Sequence, residues 1–152
     1  MIIWNRVLVG VDGSEHGLNA VRYMAAVLGG SSNCKVHLMA VHVPTVMDNP
    51  AKQEEIKLRD IENRLVLEKC LLEAHGILLE ARLEPENLST ELVDADGQRG
   101  VGDMLMEEQR RGGYGTVVVG RRGLSKAEEF LFGSVSNTVM HQATDCCVWV
   151  VG

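Results

Sequence analysis

The sequence predicts a doubly wound α/β domain built on a parallel sheet, and two observations carry that prediction. Arg6-Val7-Leu8-Val9-Gly10-Val11 and Thr116-Val117-Val118-Val119-Gly120 are unbroken valine-rich runs, the pattern of strands buried on both faces. Strand-like and helix-like segments then alternate at roughly 25 to 45 residues per unit, the spacing of right-handed βαβ crossovers that lay helices on both faces of a sheet. The 152 residues suit one core rather than two, so residues 1–152 are expected to form a single domain.

The first strand, Arg6 to Val11, ends at Asp12-Gly13-Ser14. Ser14 is a good N-cap with Glu15 in the first turn. Leu18, Val21, Met24, Ala25 and Leu28 keep helical spacing until Gly29-Gly30, which gives a helix over about 14–28. Lys35 to Val43 is the second strand, closed by Pro44. From about Ala51 charge density rises and Leu58, Ile61, Leu65 and Leu72 mark one face of a long amphipathic helix. Gly76 would also admit a strand over 77–83. The helix formers Leu, Glu, Ala and Arg there, and the β-type residues Ser89 to Val93, instead place the helix end near Glu84 and strand three at 88–94. A loop over 97–102 precedes a short helix around Met104–Met106 that stops before Gly112-Gly113. After the fourth strand, Thr116–Gly120, residues 121–132 read as a loop, Ser134–Gln142 as a helix and Cys146–Val151 as the last strand.

Composition excludes several classes. Apolar residues make up 45% and charged residues 24%, the range of globular domains rather than of disordered or rod-like chains. No run of ~18 apolar residues is present and the N-terminus lacks a basic-then-apolar leader, so a cytoplasmic protein is expected. A net charge of −6 and a pI near 5.3 give no long-range attraction for a phosphate backbone. The two Trp, two Tyr and two Phe offer little for base stacking. The four cysteines, Cys34, Cys70, Cys146 and Cys147, form no C-x-x-C pair and are expected to be reduced and mostly buried.

In an open parallel sheet, ligands sit beyond the carboxyl ends of the strands. Two such ends carry glycine here. One is Gly10-Val-Asp12-Gly13-Ser14. The other is Gly120-Arg-Arg-Gly123, followed after nine residues by Gly133-Ser134-Val135-Ser136. Glycine lets backbone N–H groups approach a ligand, and the exposed amides of a helix start favour an anion. Ser134 and Ser136 add hydroxyls, and Arg121, Arg122 and Lys126 add charge. Each feature also has an ordinary use: glycines form turns and Ser134 or Ser136 caps a helix. Asp12 suits a ribose hydroxyl or an adenine amine as well as a cap on the first helix. His42 has no second His or carboxylate at metal-ligand spacing and reads as a packed residue. The chain has no G-x-x-x-x-G-K-[ST], no G-x-G-x-x-G and no G-x-S-x-G, which removes P-loop, dinucleotide and hydrolase-elbow chemistry.

Val-Gly-Val-Asp12-Gly-Ser-Glu, His42-Val43 and the Gly120-x2-Gly123-x9-Gly133-Ser134 spacing together resemble the universal stress protein family, over about residues 5–151, and in particular its ATP-binding branch. The resemblance implies a five-stranded parallel sheet in the order 3-2-1-4-5. It implies that Asp12 and the backbone of Val43 hold adenosine, and that Gly120, Gly123, Gly133, Ser134 and the Val135 amide hold ribose and phosphates, with Ser136 nearby. It also implies ATP accompanied by Mg2+ or Mn2+, and a homodimer through strand 146–151. The expected protein is a cytosolic regulatory nucleotide-binding module of stress responses, with at most slow ATP hydrolysis. The competing expectation is a nucleotide-free dimerisation scaffold of the same fold. No nucleic acid or membrane partner is expected, and a downstream protein partner is not legible.

Overall fold

The computed structural model describes residues 1–122 and 132–152. The elements are β1 Arg6–Val11, α1 Glu15–Leu28, β2 Lys35–His42, a 3-10 turn Pro50–Lys52, α2 Gln53–Glu80, a 3-10 turn Pro85–Asn87, β3 Leu88–Asp94, α3 Val101–Gly112, β4 Thr116–Gly120, α4 Ser134–Gln142 and β5 Cys147–Val151. They form one five-stranded sheet in the order β3-β2-β1-β4-β5, parallel throughout. The sheet order and helical layers agree with the expectation from sequence.

Strand alternation sorts the core into two layers. Val7, Val9, Val11, Val36, Leu38 and Val118 point to the side covered by α1 and α2, whereas Leu8, Met39, Val41, Val117 and Val119 point to the side covered by α3 and α4. Such continuous apolar runs are what a strand with helices on both faces requires.

Five details differ from the sequence reading. α3 starts at Val101, inside the expected loop over 97–102, and runs through Gly112 before Gly113 caps it. β2 ends at His42, one residue short of Val43, and β5 begins at Cys147 rather than Cys146. α2 ends at Glu80, not near Glu84, because Arg82 takes a left-handed backbone with φ 64°. The Arg82 N–H then donates to the Leu79 carbonyl and the Leu83 N–H to the Leu78 carbonyl, closing a Schellman turn. The inward face of α2 is also not the expected one. Leu67, Cys70, Leu71, Ala74 and Leu78 are buried, while Leu58, Ile61, Leu65 and Leu72 are exposed, about 150° away around the helix at 100° per residue. Both stripes keep helical spacing, so periodicity alone does not choose between them. The inner one carries the small Cys70 and Ala74 and can lie close to the sheet.

All four cysteines are free; Cys34 and Cys70 are buried, Cys146 is partly buried and Cys147 is exposed. Burial pushes the Cys34, Cys70 and Cys146 thiols above their ordinary range.

Candidate functional site

The ends of β1, β4 and β2 open into a cleft of about 720 Å³, a size suited to a nucleotide-sized ligand. Asp12, Val43, Gly120, Gly133, Ser134, Val135 and Ser136 all line it. Gly123 and Lys126 lie outside the described residues. The apolar wall comes from Met39 and Val41 of β2, Val119 of β4 and Leu105 of α3, and Asn63 and Val66 of α2 lie across from them. The α2 residues were not anticipated, because nothing in the sequence says which helix reaches over the strand ends.

Asp12 is held in place by the start of α1. Its Oδ1 accepts from the Ser14 N–H at 3.0 Å and from the Ser14 hydroxyl at 2.5 Å, and the Ser14 Oγ in turn accepts from the Gly17 N–H at 3.2 Å. Asp12 is therefore tied to the N-cap, one of its two expected roles, through one oxygen; among the described residues nothing bonds Oδ2. Two glycines make room for this turn. Gly13 has φ +81°, and a Cβ on Gly17 would lie 3.2 Å from Asp12 Oδ1.

On the opposite rim, the Arg121 N–H donates to the Val151 carbonyl and the Gly133 N–H donates back to the Arg121 carbonyl. The Ser136 hydroxyl lies 2.8 Å from the Arg121 carbonyl and 3.1 Å from that of Gly133. Ser136 thus spends its one hydroxyl proton on the backbone. α4 begins at Ser134 with Gly133 as N-cap and no side-chain cap. The N–H groups of Ser134, Val135 and Ser136 therefore have no intrahelical acceptor, and the helix dipole adds partial positive charge there. Arg121 and Arg122 line the same rim, and among the described residues the Nε of each is buried without a partner.

His42 is buried at the end of β2 and its Nδ1 lies 3.0 Å from Asp94 Oδ1. Arg64 of α2 reaches the same oxygen at 2.5 Å. Beside it, the Thr45 amide holds the Asp60 carboxyl below the usual carboxylate range. These contacts tie α2 to the ends of β2 and β3 and so fix one side of the cleft. His42 is buried as expected, but it also lines the cleft, and its Nε2 is buried without a partner among the described residues.

The sequence profile of the universal stress protein family matches residues 4–152. The chain belongs to that family. It is 31% identical to a universal stress protein of Mycolicibacterium smegmatis over 156 aligned positions, which cover 96% of this chain and 48% of the relative; the chain spans about half the length of that relative. Among solved universal stress proteins, UspA of Lactobacillus plantarum superposes with a TM-score of 0.78 at 16% identity, covering 98% of both chains. One crystallised in complex with cAMP gives 0.68 at 25% identity, over 97% of this chain and 96% of that one. A third, from Archaeoglobus fulgidus in complex with dAMP, gives 0.63 at 18% identity over 100% of both. The five-stranded parallel sheet in the order 3-2-1-4-5 is that of this universal stress protein fold.

Proposed function

We propose that this universal stress protein is an ATP-binding regulatory module whose nucleotide occupies the cleft between the ends of β1 and β4. One observation carries the reading: three unclaimed amides of the α4 N-terminus, beside two arginines, face the carboxylate of Asp12 across about 720 Å³ of largely apolar space. Amides at a helix start suit phosphate, apolar walls suit a base, and a carboxylate oxygen suits a ribose hydroxyl. Two structural relatives named as complexes with cAMP and dAMP support an adenine nucleotide. In this reading Asp12 Oδ2 and the Val43 backbone bind the adenosine. Gly120, Gly133, Ser134 and the amides of Val135 and Ser136 take ribose and phosphates, the same role that the glycine spacing implies for Gly123.

Among the described residues no group of three His, Cys, Asp or Glu is arranged to hold a metal, so Mg2+ or Mn2+ would arrive on the triphosphate. No carboxylate or glutamine is proposed to orient water, and hydrolysis is at most slow. β5 forms the edge of the sheet, paired on one side by β4. Its partly exposed apolar residues favour antiparallel pairing with β5 of a second copy. The proposed setting is the cytoplasm; no helix among the described residues is long and apolar enough to cross a membrane.

Isothermal titration with ATP and Mg2+, together with the absorbance of any nucleotide released from the purified protein on denaturation, tests the reading. Binding in the micromolar to millimolar range is expected. No heat at millimolar ATP and no released nucleotide would leave only the nucleotide-free scaffold.

A further inference from the structure

The outer stripe of α2 has no partner in the fold, yet it is more regular than the buried one. Leu58, Leu65, Leu72 and Leu79 recur at intervals of seven, with Ile61 between the first two, and all five are exposed, Leu72 to 75%. A seam of strict seven-residue period drifts about 20° per heptad on a straight helix and stays in contact only with a second helix that supercoils around it. We propose that this seam is a self-association surface, on which α2 of a second copy packs antiparallel about a two-fold axis near Leu65.

Charge selects both the occupant and its direction. Along Glu54 to Glu73 the ionic side chains are mostly engaged within the chain: Glu54 with Lys57, Glu55 with Arg59, Arg64 with Glu68 and Asp94, and Glu73 with Arg22, while Asp60 accepts from the Thr45 amide. Glu62 and Lys69 have no ionic partner among the described residues and flank the seam on one side. In an antiparallel pair, flanking positions of that side meet each other. Glu62 of one copy then faces Lys69 of the other, twice by symmetry, as Ile61 faces Leu72. A parallel pair would set Glu68 on Glu68 across the seam and Arg64 against Lys69, both repulsive. A foreign helix would meet no such built-in complement.

Size is consistent with a specific, modest dimer. Five side chains each presenting about 100 Å² give about 500 Å² per copy, or about 1,000 Å² in all before the charged flanks are counted, the lower end of specific interfaces. The α2 pair is isologous and closes as a dimer by itself, and beside a β5 pair it would join dimers into larger assemblies. It leaves β5 and the cleft free, and it does not depend on the nucleotide reading.

Sedimentation equilibrium of the full chain, wild type against Leu65→Glu, is the primary test. Wild type should associate at tens of micromolar, and Leu65→Glu should weaken association at least about tenfold, since Leu65 faces Glu68 of the second copy in this register and the variant sets two carboxylates against each other there. Circular dichroism and ATP titration should be unchanged, because Leu65 is exposed and lines no part of the cleft. Glu62→Lys and Lys69→Glu should each weaken association, and the double reversal should restore it. A wild-type monomer at 100 µM, self-association indifferent to Leu65→Glu, or a double reversal that stays as weak as the single variants would each overturn the proposal. A β5-mediated dimer would reveal itself by surviving Leu65→Glu and dissociating on disruption of β5.

Discussion

The end of β4 is pressed against the start of α1: a Cβ on Gly120 would lie 2.8 Å from both the carbonyl carbon and the carbonyl oxygen of His16, and 3.0 Å from the Gly17 nitrogen. The glycine that marks the cleft in the sequence is therefore required by the packing of one backbone on another, whatever the cleft holds. Gly120→Ala must separate strand and helix. It is expected to cost about 1–3 kcal/mol, the usual range for an overpacked core, and to lower the thermal midpoint by several degrees. A midpoint within a degree of wild type would show that α1 yields freely.

Ser136 and Ser134 should behave oppositely although they sit two residues apart. Ser136 is buried and bridges the carbonyls of Arg121 and Gly133, whereas Ser134 is exposed. Ser136→Ala is expected to lose about 1–2 kcal/mol, the cost of an unmade buried hydrogen bond, and Ser134→Ala next to nothing. Denaturant melts of the two variants separate these cases, and equal losses would refute the bridging role.

The inner strands were legible because burial on both faces leaves a one-dimensional signature. The valine runs of β1 and β4 need no tertiary knowledge, and the strand-end glycines and Asp12 could be read as a cleft from position alone. What sequence did not carry was orientation and backbone conformation. The two stripes of α2 are equally apolar, and the choice between them rests on which can approach the sheet. The end of α3 is announced by Gly113 in a left-handed turn, but the same turn ends α2 with Arg82 in the glycine place, so its signal is missing. Ser136 looked like a phosphate ligand because a hydroxyl at a helix start has two uses, and only the neighbouring Arg121 carbonyl decides between them.

That misplaced arginine gives a stabilising substitution. A non-glycine residue in the left-handed region carries a penalty of about 1 kcal/mol, and the Schellman turn around Arg82 is otherwise complete, with Leu83 packed in the same core as Leu78. Arg82→Gly should remove the strain and raise the midpoint by about 2–4 °C. An unchanged or lower midpoint would mean that the flexibility glycine adds to the unfolded chain cancels the relief.

Acid should loosen the approach to α3. The backbone amides of Arg99 and Gln98, then the Arg99 side chain, hold the Asp96 carboxyl down at about 2 from its ordinary 3.8. A carboxylate with a lowered folded-state value contributes stability that is fully present above its ordinary value and is lost as pH falls through that value toward the folded one. Its contribution should therefore fade between about pH 4 and pH 2. Asp96→Asn, which cannot titrate, should flatten that part of the stability profile. The check is a series of chemical denaturations from pH 6 to pH 2, and parallel profiles for the two proteins would remove Asp96 from the acid response.

Gly133 offers the sharpest separation of binding from folding. Its φ of −75° and ψ of 168° are open to any residue, so valine introduces no backbone strain there. Valine is a poor N-cap, which costs about 1 kcal/mol and a few degrees of midpoint, but the sheet is untouched. Gly133 lines the cleft at the amides proposed to receive phosphate, and a branched side chain at that point occupies the space a phosphate would need. Gly133→Val is therefore expected to abolish ATP binding by titration at 25 °C while the far-ultraviolet spectrum and cooperative melting persist. Wild-type affinity in a folded Gly133→Val protein would move the nucleotide away from α4 and leave the amides of Ser134, Val135 and Ser136 to water.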